Sequence, residues 1–453
     1  MTTYRPDPKL LTLGPDFYDP VEAAAFPKCI PRFLNDRAAE RLGLDLDEEA
    51  WARHFCRFEP LPDNLAEPLA LRYHGHQFRV YNPDIGDGRG FTFAQLRDGE
   101  GRLLDLGTKG SGQTPYSRQA DGRLTLKGGV REVLATEMLE ALGVNTSKSF
   151  ALFETGEALQ RGDEPSPTRS SVLTRLSHGH IRIGTFQRLA FFNELDNLRK
   201  LTRYCLEHLY GEPGDDPLRL FDLVSEATAK LAASYLAAGF VHGVLNSDNI
   251  NITGESFDYG PWRFTPYWEP EFTAAYFDHY GLYAFGRQPE AIHWDLAQLA
   301  GCLSLIADAP KLSEMLGEWS GRFEQALVGA MVRRLGVAPA ERDRELAGAL
   351  IRALATRAQP MDRIFFDWRG GKDPGVELYP ADQFRQLAKL LDGRQAAKTH
   401  AYWSDAEPCS MHIDEVEAIW SAISEHDDWQ PFDNKVKAVR RMGEAIVQDA
   451  AAG

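Results

Sequence analysis

The sequence predicts an α+β fold of two lobes, the first rich in β-strands and the second mostly helical. Short apolar runs separated by glycine and asparagine fill residues 68–110, a pattern typical of strands. From Asn193 onward, apolar residues recur at helical spacing over long segments. With 453 residues the chain is long enough to build two lobes around one cleft.

The first 66 residues are predicted to be an extension that packs on the lobes. Proline and acidic residues interrupt this stretch repeatedly, which argues against a long regular element. One short helix is expected over residues 36–42, because a glycine follows at position 43.

The N-terminal lobe is predicted over residues 67–192. A single long helix is expected at 128–142, ending at Gly143, a residue type favoured just after a helix. A turn is expected at 162–167. The expected strands share short apolar runs bounded by turn residues and lie at 91–96, 102–106, 149–153 and 171–176.

The C-terminal lobe is predicted over residues 193–453. Its first long amphipathic helix ends at Gly239 and leads directly into His242. The helices expected here, all identified by apolar periodicity, are 221–238, 293–307, 312–335, 338–358 and 381–392.

Charge and hydropathy exclude several classes of partner. Fifty Lys and Arg against 66 Asp and Glu give a net charge of −16, which argues against a nucleic-acid partner. No segment approaches the roughly 18 consecutive apolar residues of a membrane span, and the N-terminus lacks the apolar core of a signal peptide. We therefore expect a cytoplasmic monomer that binds neither nucleic acid nor membrane.

The cysteines are sparse and form no C-x-x-C pair. An odd number of scattered cysteines in a protein expected in the cytoplasm predicts reduced thiols. The five thiols concerned are Cys29, Cys56, Cys205, Cys302 and Cys409.

The most informative segment begins at His242. Protein kinases place a catalytic Asp two residues after the equivalent His, and a metal-binding Asn five residues after that Asp. Here those two positions hold Val244 and Asn249, and the metal-binding Asp-Phe-Gly corresponds to Asp-Tyr-Gly beginning at Asp258. Valine cannot accept a proton, so the usual base is missing while Asp248 stands beside Asn249. The pattern predicts a nucleotide-handling enzyme that differs from an ordinary kinase.

Asn249 and Asp258 are the predicted metal ligands. Carboxylate and amide oxygens, together with phosphate oxygens, suit Mg²⁺. Either residue taken alone would favour an ordinary turn Asn or a capping Asp, whereas the two together in one sequence frame favour the metal. Asp248 is close enough in sequence to act as the base or as a water-mediated metal ligand.

Lys109 ends a strand-like run and is predicted to pair with Glu132 on the helix at 128–142. Glu132 shares a stripe of the helix with apolar residues, and a Glu buried there needs a cationic partner. The alternative is a surface Lys and a first-turn Glu favoured by the helix dipole.

Two glycine turns and two arginines are candidate phosphate contacts. Gly86-Asp87-Gly88-Arg89-Gly90 and Asp121-Gly122-Arg123 let the backbone approach a phosphate closely, or they are plain tight turns. Arg175 and Arg182 lie near strand ends, where they would clamp phosphate or be solvated.

Three further polar residues receive a structural interpretation. His178 and His180 lie between the two arginines and have no third metal ligand in sight, so we interpret them as loop residues. Asp295 is expected to open an apolar helix, either supporting the catalytic loop or capping the helix N-terminus.

Several long motifs resemble the selenoprotein O (SelO) pseudokinase family. They are YHGHQF at 73–78, GDGR at 86–89, KGSGQTPYSR at 109–118, DGR at 121–123, IRIGTF at 181–186, HGVLNSDN at 242–249 and DYGP at 258–261. The resemblance spans about residues 70–300, and little similarity is evident beyond about residue 400.

The resemblance implies a protein-kinase-like fold and transfer of AMP from ATP to Ser, Thr or Tyr hydroxyls of proteins, including this protein itself. It implies ATP bound in the reverse direction to kinases, with Mg²⁺ or Mn²⁺. Asp248 would then accept the proton, and Asn249 and Asp258 would bind the metal. The residues implied around ATP are Gly86, Gly88, Arg89, Lys109, Glu132, Asp121, Gly122, Arg175, Arg182 and Asp258.

Two other functions remain compatible with these residues. One is a phosphotransferase that uses Asp248 as its base, and the other is an inactive ATP-binding scaffold. Retention of Lys109, Asn249 and Asp258 counts against the scaffold, because a module without activity has no use for a metal site.

Overall fold

The computed structural model describes residues 3–162, 164–375, 377–396 and 398–452. The strands are β1 (Tyr18–Pro20), β2 (Ile30–Leu34), β3 (Leu69–Leu71), β4 (Gly75–Gln77), β5 (Val80–Asn82), β6 (Thr92–Arg97), β7 (Leu103–Lys109), β8 (Leu124–Thr125), β9 (Lys148–Leu159), β10 (Thr168–Ser177), β11 (Phe240–Val241) and β12 (Arg263–Phe264). The helices are α1 (Asp36–Arg41), α2 (Glu48–Phe55), α3 (Leu126–Ala141), α4 (Ile183–Phe191), α5 (Leu195–Tyr204), α6 (Pro217–Ala238), α7 (Gln288–Leu303), α8 (Ala309–Leu335), α9 (Asp343–Leu354), α10 (Met361–Asp367), α11 (Asp382–Leu391), α12 (Ile413–His426) and α13 (Gln430–Ala452). The predicted α+β class is confirmed.

One antiparallel sheet dominates the first half of the chain. Its strands run in the order β1-β3-β6-β7-β10-β9-β2, with β8 added beside β10. The inner strands β6, β7 and β10 are almost entirely buried. The register places Leu173 opposite Lys109 and Arg175 opposite Gly107. Directly paired residues point to the same face of a sheet, so this register sets which side chains share the cleft.

Helix α3 lies against this sheet. The Thr125 side chain accepts a hydrogen bond from the backbone N–H of Gly128, which satisfies one free donor at the helix start. The helix ends before Gly143, whose φ of +76° is the left-handed conformation that glycine adopts at low cost. Most of its side chains are buried, including Glu132, so a carboxylate sits between helix and sheet.

Helices α6, α7 and α8 form the centre of the second half. Their apolar faces join one core cluster that also includes α3, α12 and α13. Gly239, with φ +69°, ends α6 and sends the chain into β11. Strand β11 pairs with β12, so the segment between them is anchored at both ends.

The predicted strands and most predicted helices are confirmed, with shifted boundaries. The expected helix at 128–142 is α3, and that at 221–238 is α6, which begins earlier at Pro217. The helix expected from residue 338 begins only at Asp343. Six helices of the described residues had no counterpart in the sequence prediction: α2, α4, α5, α10, α12 and α13.

Two expectations are wrong. Cys29 and Cys56 form a disulfide, although both were expected to be reduced thiols; the two Cα atoms lie 6.0 Å apart, which brings the pair within bonding reach. Cys205, Cys302 and Cys409 are free. Asp295 does not open a helix, because α7 begins at Gln288 and Asp295 lies in its interior. Among the described residues, no helix is long and apolar enough to cross a membrane.

Candidate active site

The segment from His242 to Gly260 folds as one unit between β11 and β12. The backbone N–H of His242 donates to Gln288 Oε1 (2.9 Å), which ties the segment to α7. The imidazole Nε2 of His242 lies 3.0 Å from the carbonyl oxygen of Phe257. This contact joins the start of the loop to the residue before Asp258, so the two predicted functional segments are held together.

Asp248 is buried at the centre of this unit. Its Oδ1 has no hydrogen-bond partner among the described residues. Gly75 of β4 packs so closely that a Cβ built there would lie 2.9 Å from this oxygen, so only glycine fits. Burial raises the pKa of Asp248 to about 6, against the opposing charge of Arg182. A carboxylate with a free oxygen and a pKa near neutrality is suited to accept a proton.

Asn249 and Asp258 offer hard oxygen donors. The amide nitrogen of Asn249 donates to Val244 O (3.1 Å), which leaves the amide oxygen available. Asp258 has a left-handed backbone, φ +63°, unusual for a residue with a side chain. Burial acts to raise the pKa of Asp258, but Lys109, Arg175 and Arg182 lower it well below its usual range.

These donors fit a divalent cation that completes its shell with phosphate and water. The described residues contain no group of three or more His, Cys, Asp or Glu able to hold a metal alone. Mg²⁺ at nucleotide sites is commonly held by one or two carboxylates together with substrate phosphates. Asn249 and Asp258 would hold such an ion.

Lys109 and Glu132 pair as predicted. Lys109 Nζ lies 2.6 Å from Glu132 Oε2 and 2.9 Å from Asp258 Oδ1. Both partners of the first pair are buried, so each charge offsets the desolvation cost of the other. The lysine therefore links α3 to the segment that carries Asp258.

Arg175 and Arg182, predicted as a phosphate clamp, lie near the two acids of the loop: Arg175 beside Asp258 and Arg182 beside Asp248. Arg175 Nη1 is 3.4 Å from Asp258 Oδ1 and 3.5 Å from Glu132 Oε1. Arg182 Nη1 donates to the carbonyl oxygen of Asp248 (3.0 Å), and Nη2 lies 3.5 Å from Asp87 Oδ1. Both guanidinium groups are buried, so the interpretation that leaves them in solvent is wrong.

The glycine turn at 86–90 packs against the chain that follows β7. A Cβ on Gly86 would lie 2.5 Å from the Tyr116 ring, and one on Gly88 would lie 3.0 Å from Tyr116 O. Gly110 N donates to the carbonyl oxygen of Arg89 (2.6 Å). Glycine is thus required where this turn packs closely against the backbone that follows Lys109. The Arg89 side chain is exposed.

The second glycine turn, at 121–123, also packs against the chain that follows β7. Gly112 N donates to Gly122 O (3.2 Å), and a Cβ on Gly122 would lie 2.2 Å from Gly112 O. The Asp121 carboxylate is exposed and lies 2.8 Å from Arg161. The turn therefore lies at the edge of the site, and the Asp121 carboxylate faces Arg161.

The sequence interpretation missed four residues around the arginines. Asp87 lies half-buried beside Arg182, and the Arg182 guanidinium lies 4.1 Å from the Tyr73 ring. His180 and Phe257 lie near them, with ring centroids 6.3 Å apart. Asp87 and Tyr73 lie inside motifs that the sequence had singled out, whereas Phe257 carried no signal beyond its place before Asp258.

Buried basic groups, a free carboxylate oxygen and hard oxygen donors, gathered around Asp248 and Asp258, are the groups that a nucleotide-dependent transferase uses. Comparison with known proteins narrows the class. The model of the family described as "Protein adenylyltransferase SelO" matches residues 1–440, so the chain belongs to this family and is a nucleotidyltransferase.

Curated relatives agree with this placement. Proteins named "Protein nucleotidyltransferase YdiU" are 42% identical in Synechocystis sp. (96% of this chain, 97% of the relative) and 43% identical in Gloeobacter violaceus (96% and 95%). The one from Synechococcus elongatus is 41% identical (97% and 95%). Since the family match continues to residue 440, the expectation of little similarity beyond about residue 400 is wrong.

Proposed function

We propose that this chain transfers AMP from ATP to Ser, Thr or Tyr hydroxyls of proteins, with Mg²⁺ or Mn²⁺. The observation that supports this most is the buried Asp248 with a free oxygen, in a loop that carries Val244 where kinases have their base. The family description and the names of the relatives support the nucleotidyl part of the proposal.

The proposed reaction is an in-line substitution at the α-phosphorus. The acceptor oxygen forms a bond to this phosphorus, the bond to the oxygen that bridges to the β-phosphorus breaks, and pyrophosphate leaves. Asp248 takes the hydroxyl proton, and its pKa of about 6 leaves it ionised and ready at neutral pH. A divalent cation on Asn249 and Asp258, when bound, neutralises phosphate charge.

In this proposal the nucleotide lies with its terminal phosphates toward the buried basic groups. Lys109, Arg175 and Arg182 are all buried and would hold the β- and γ-phosphates. The α-phosphate would then lie beside Asp248, which is the reverse of the kinase arrangement. This orientation, the kinase-like two-lobed fold, the division at residues 66 and 192, the monomeric state and the cytoplasmic setting remain parts of the proposal.

Labelled ATP tests the proposal directly. The full-length protein is incubated with Mg²⁺ or Mn²⁺ and ATP labelled on either the α- or the γ-phosphorus, with casein as a generic acceptor. We expect the α-label on protein, the protein itself included, and its loss in Asp258→Ala. Transfer of the γ-label would instead establish the phosphotransferase, and binding without either label would establish the scaffold.

A further inference from the structure

A cavity opens where the ends of α3 and α8 meet α6 and α13. Its volume is about 680 Å³, within the range of roughly 300–1,000 Å³ that small-molecule sites occupy. Gly143, just after α3, and Gly336, just after α8, both line it. None of the residues proposed to bind the nucleotide or the metal does so. The cavity is therefore a separate place in the fold.

Apolar side chains from four helices line much of this cavity. Leu142 and Ile446 pack against the core cluster that includes α3 and α13. Ala237, Ala330 and Val337 belong to a second core cluster. The cavity thus lies between two hydrophobic cores, and the apolar body of a ligand would gain free energy by leaving water there.

The charged lining of the cavity is entirely basic. It holds Arg333, Arg334, Arg369 and Arg394, and no Asp or Glu occurs among the described residues that line it. Acidic residues outnumber basic ones in the whole chain, 66 against 50. The lining therefore departs from the average of this protein in the direction that favours an anion.

Arg369 holds two of the surrounding helices together. It is buried, and its Nη1 donates to the carbonyl oxygens of Arg333 (3.1 Å) and Arg334 (3.2 Å) near the end of α8. Its Nη2 donates to the carbonyl oxygen of Ile446 in α13 (3.2 Å). The last carbonyl oxygens of a helix carry partial negative charge. Arg369 offsets that charge, which would otherwise repel an anion in the cavity.

Arg334 and Arg394 are each fixed by one carboxylate that does not line the cavity. Arg334 Nη2 donates to Asp362 Oδ1 (2.9 Å), and Arg394 Nη2 donates to Asp343 Oδ1 (2.7 Å) and to the carbonyl oxygen of Ala338. A guanidinium has five N–H donors, and both arginines bond described residues through Nη2 alone. Their Nε and Nη1 donors are left for another acceptor.

Arg333 adds a charge that no described residue balances. Its side chain is exposed and forms neither an ion pair nor a hydrogen bond within the described part of the chain. A single exposed arginine is ordinary on a protein surface. Here it borders an apolar cavity whose other charged groups are also basic, so the net field at the cavity is positive.

We propose that this cavity binds a small molecule in which an apolar body carries one oxyanion, a carboxylate or a phosphate. The apolar body would lie between the two cores, and Arg333, Arg334 and Arg394 would hold the oxyanion by charge-assisted hydrogen bonds. Because Gly143 ends the helix that carries Glu132, an occupant would also fix that end of α3. The proposal is independent of the reaction at Asp248.

Two fluorescent probes that differ only in charge test the cavity. Anilinonaphthalene sulfonate joins an apolar ring system to an oxyanion, and phenylnaphthylamine has the same rings without the sulfonate. The full-length protein is titrated with each probe while Mg²⁺ and saturating α,β-methylene-ATP occupy the nucleotide site. We expect the sulfonate to bind at one site and more tightly than the neutral amine.

Three variants locate that binding. Arg333→Glu should weaken the sulfonate about 10-fold or more, the effect of a lost charge-assisted hydrogen bond and an added like charge, and change binding of the amine little. Arg352→Glu is the matched control, an exposed arginine of α9 outside the lining that changes net charge equally. Ala338→Trp, at an exposed lining position, should fill the cavity and weaken both probes.

Competition identifies the anion and completes the test. Decanoate and decyl phosphate should each displace the sulfonate probe, and the stronger of the two shows whether the site prefers a carboxylate or a phosphate. Decanol that competes as well as either would overturn the role of the arginines. Unchanged sulfonate binding in Arg333→Glu, an equal loss in Arg352→Glu, or full binding of both probes to Ala338→Trp would overturn the site itself.

Discussion

At the scale of single residues, Asp248 shows how packing shifts the pKa of a candidate base. The glycine at 75 brings a strand onto the carboxylate, and burial then disfavours the ionised form. Asp258 is only half-buried, and three basic side chains outweigh the effect of burial on its pKa. Two acids ten residues apart therefore ionise in different pH ranges, as a base and a cation ligand require.

The activity of the protein should depend on pH through Asp248. A base works only when deprotonated, and burial raises the pKa of Asp248 to about 6. We therefore expect kcat/KM for AMP transfer to be level above this pH and to fall tenfold per unit below it. A pH profile between 5 and 8 measures the midpoint, and a midpoint near 4 would contradict the assigned role.

Removing the carboxylate should affect chemistry more than binding. Asp248→Asn is expected to lower kcat by roughly 10²- to 10⁴-fold, while calorimetry shows nearly unchanged affinity for α,β-methylene-ATP. Asp215→Asn is a matched control, because its carboxylate is exposed, paired with Arg203 and far along the chain from the site residues. An Asp248→Asn variant with full activity would rule out proton transfer to this residue.

At the scale of secondary-structure elements, α3 is held from both sides. Its inner face carries Glu132, paired with Lys109. Its outer face carries Glu137, which is buried and accepts two hydrogen bonds of 2.7 Å from Arg440 of α13. The C-terminal helix therefore fixes the helix that positions Lys109.

The Lys109–Glu132 pair should behave as one unit. Single replacements Lys109→Met and Glu132→Gln each leave a buried charge without its main partner. We expect each to lower AMP transfer severely and the double replacement to cost far less than the sum. Initial rates of the four proteins in a double-mutant cycle measure this coupling, and additive losses would show that the two residues act separately.

The contact between α13 and α3 should matter for stability. Arg440→Ala leaves Glu137 buried with Arg37 3.6 Å away, and should lower the unfolding free energy by about 1–3 kcal/mol. Arg441→Ala is the control, since its partner Asp405 is only half-buried, and should cost less than about 1 kcal/mol. Urea unfolding compares the unfolding free energies of the two variants. Equal losses would mean that the buried pair stabilises the protein no more than the half-buried one.

At the scale of the whole molecule, both ends of the chain wrap the sheet and α3. The N-terminal residues supply β1 and β2, which form the two edges of the sheet. The same residues carry the disulfide between Cys29, just before β2, and Cys56, just after α2. The C-terminal helices α12 and α13 join the central core.

Reduction of the Cys29–Cys56 disulfide should lower the stability of the fold and leave the rate of AMP transfer unchanged. A crosslink between residues 27 positions apart stabilises the folded state by about 3–4 kcal/mol, because it lowers the conformational entropy of the unfolded chain. Dithiothreitol should therefore lower the melting temperature of the wild type and leave the Cys29→Ser/Cys56→Ser variant unaffected. The rate of AMP transfer below the melting range should not change, and a large rise that depends on Cys409 would contradict this.

The sequence by itself determined the α+β class, the loop from His242 to Asp258 and the pairing of Lys109 with Glu132. The loop is contiguous, so its spacing carries the information, and helical periodicity showed that Glu132 faces inward and needs a cation. The sequence reveals these features because they depend on the spacing of residues within short segments.

Only the tertiary structure decided the rest. His180 and Asp105 lie 75 residues apart, and Arg440 and Glu137 lie 303 apart. No local pattern reports such contacts, since they arise where separate elements pack. The Cys29–Cys56 bond is a similar case, because cysteine pairing depends on the distance between Cα atoms in the folded chain. Local periodicity sets the elements, and packing between them sets the charges and partners of the side chains they carry.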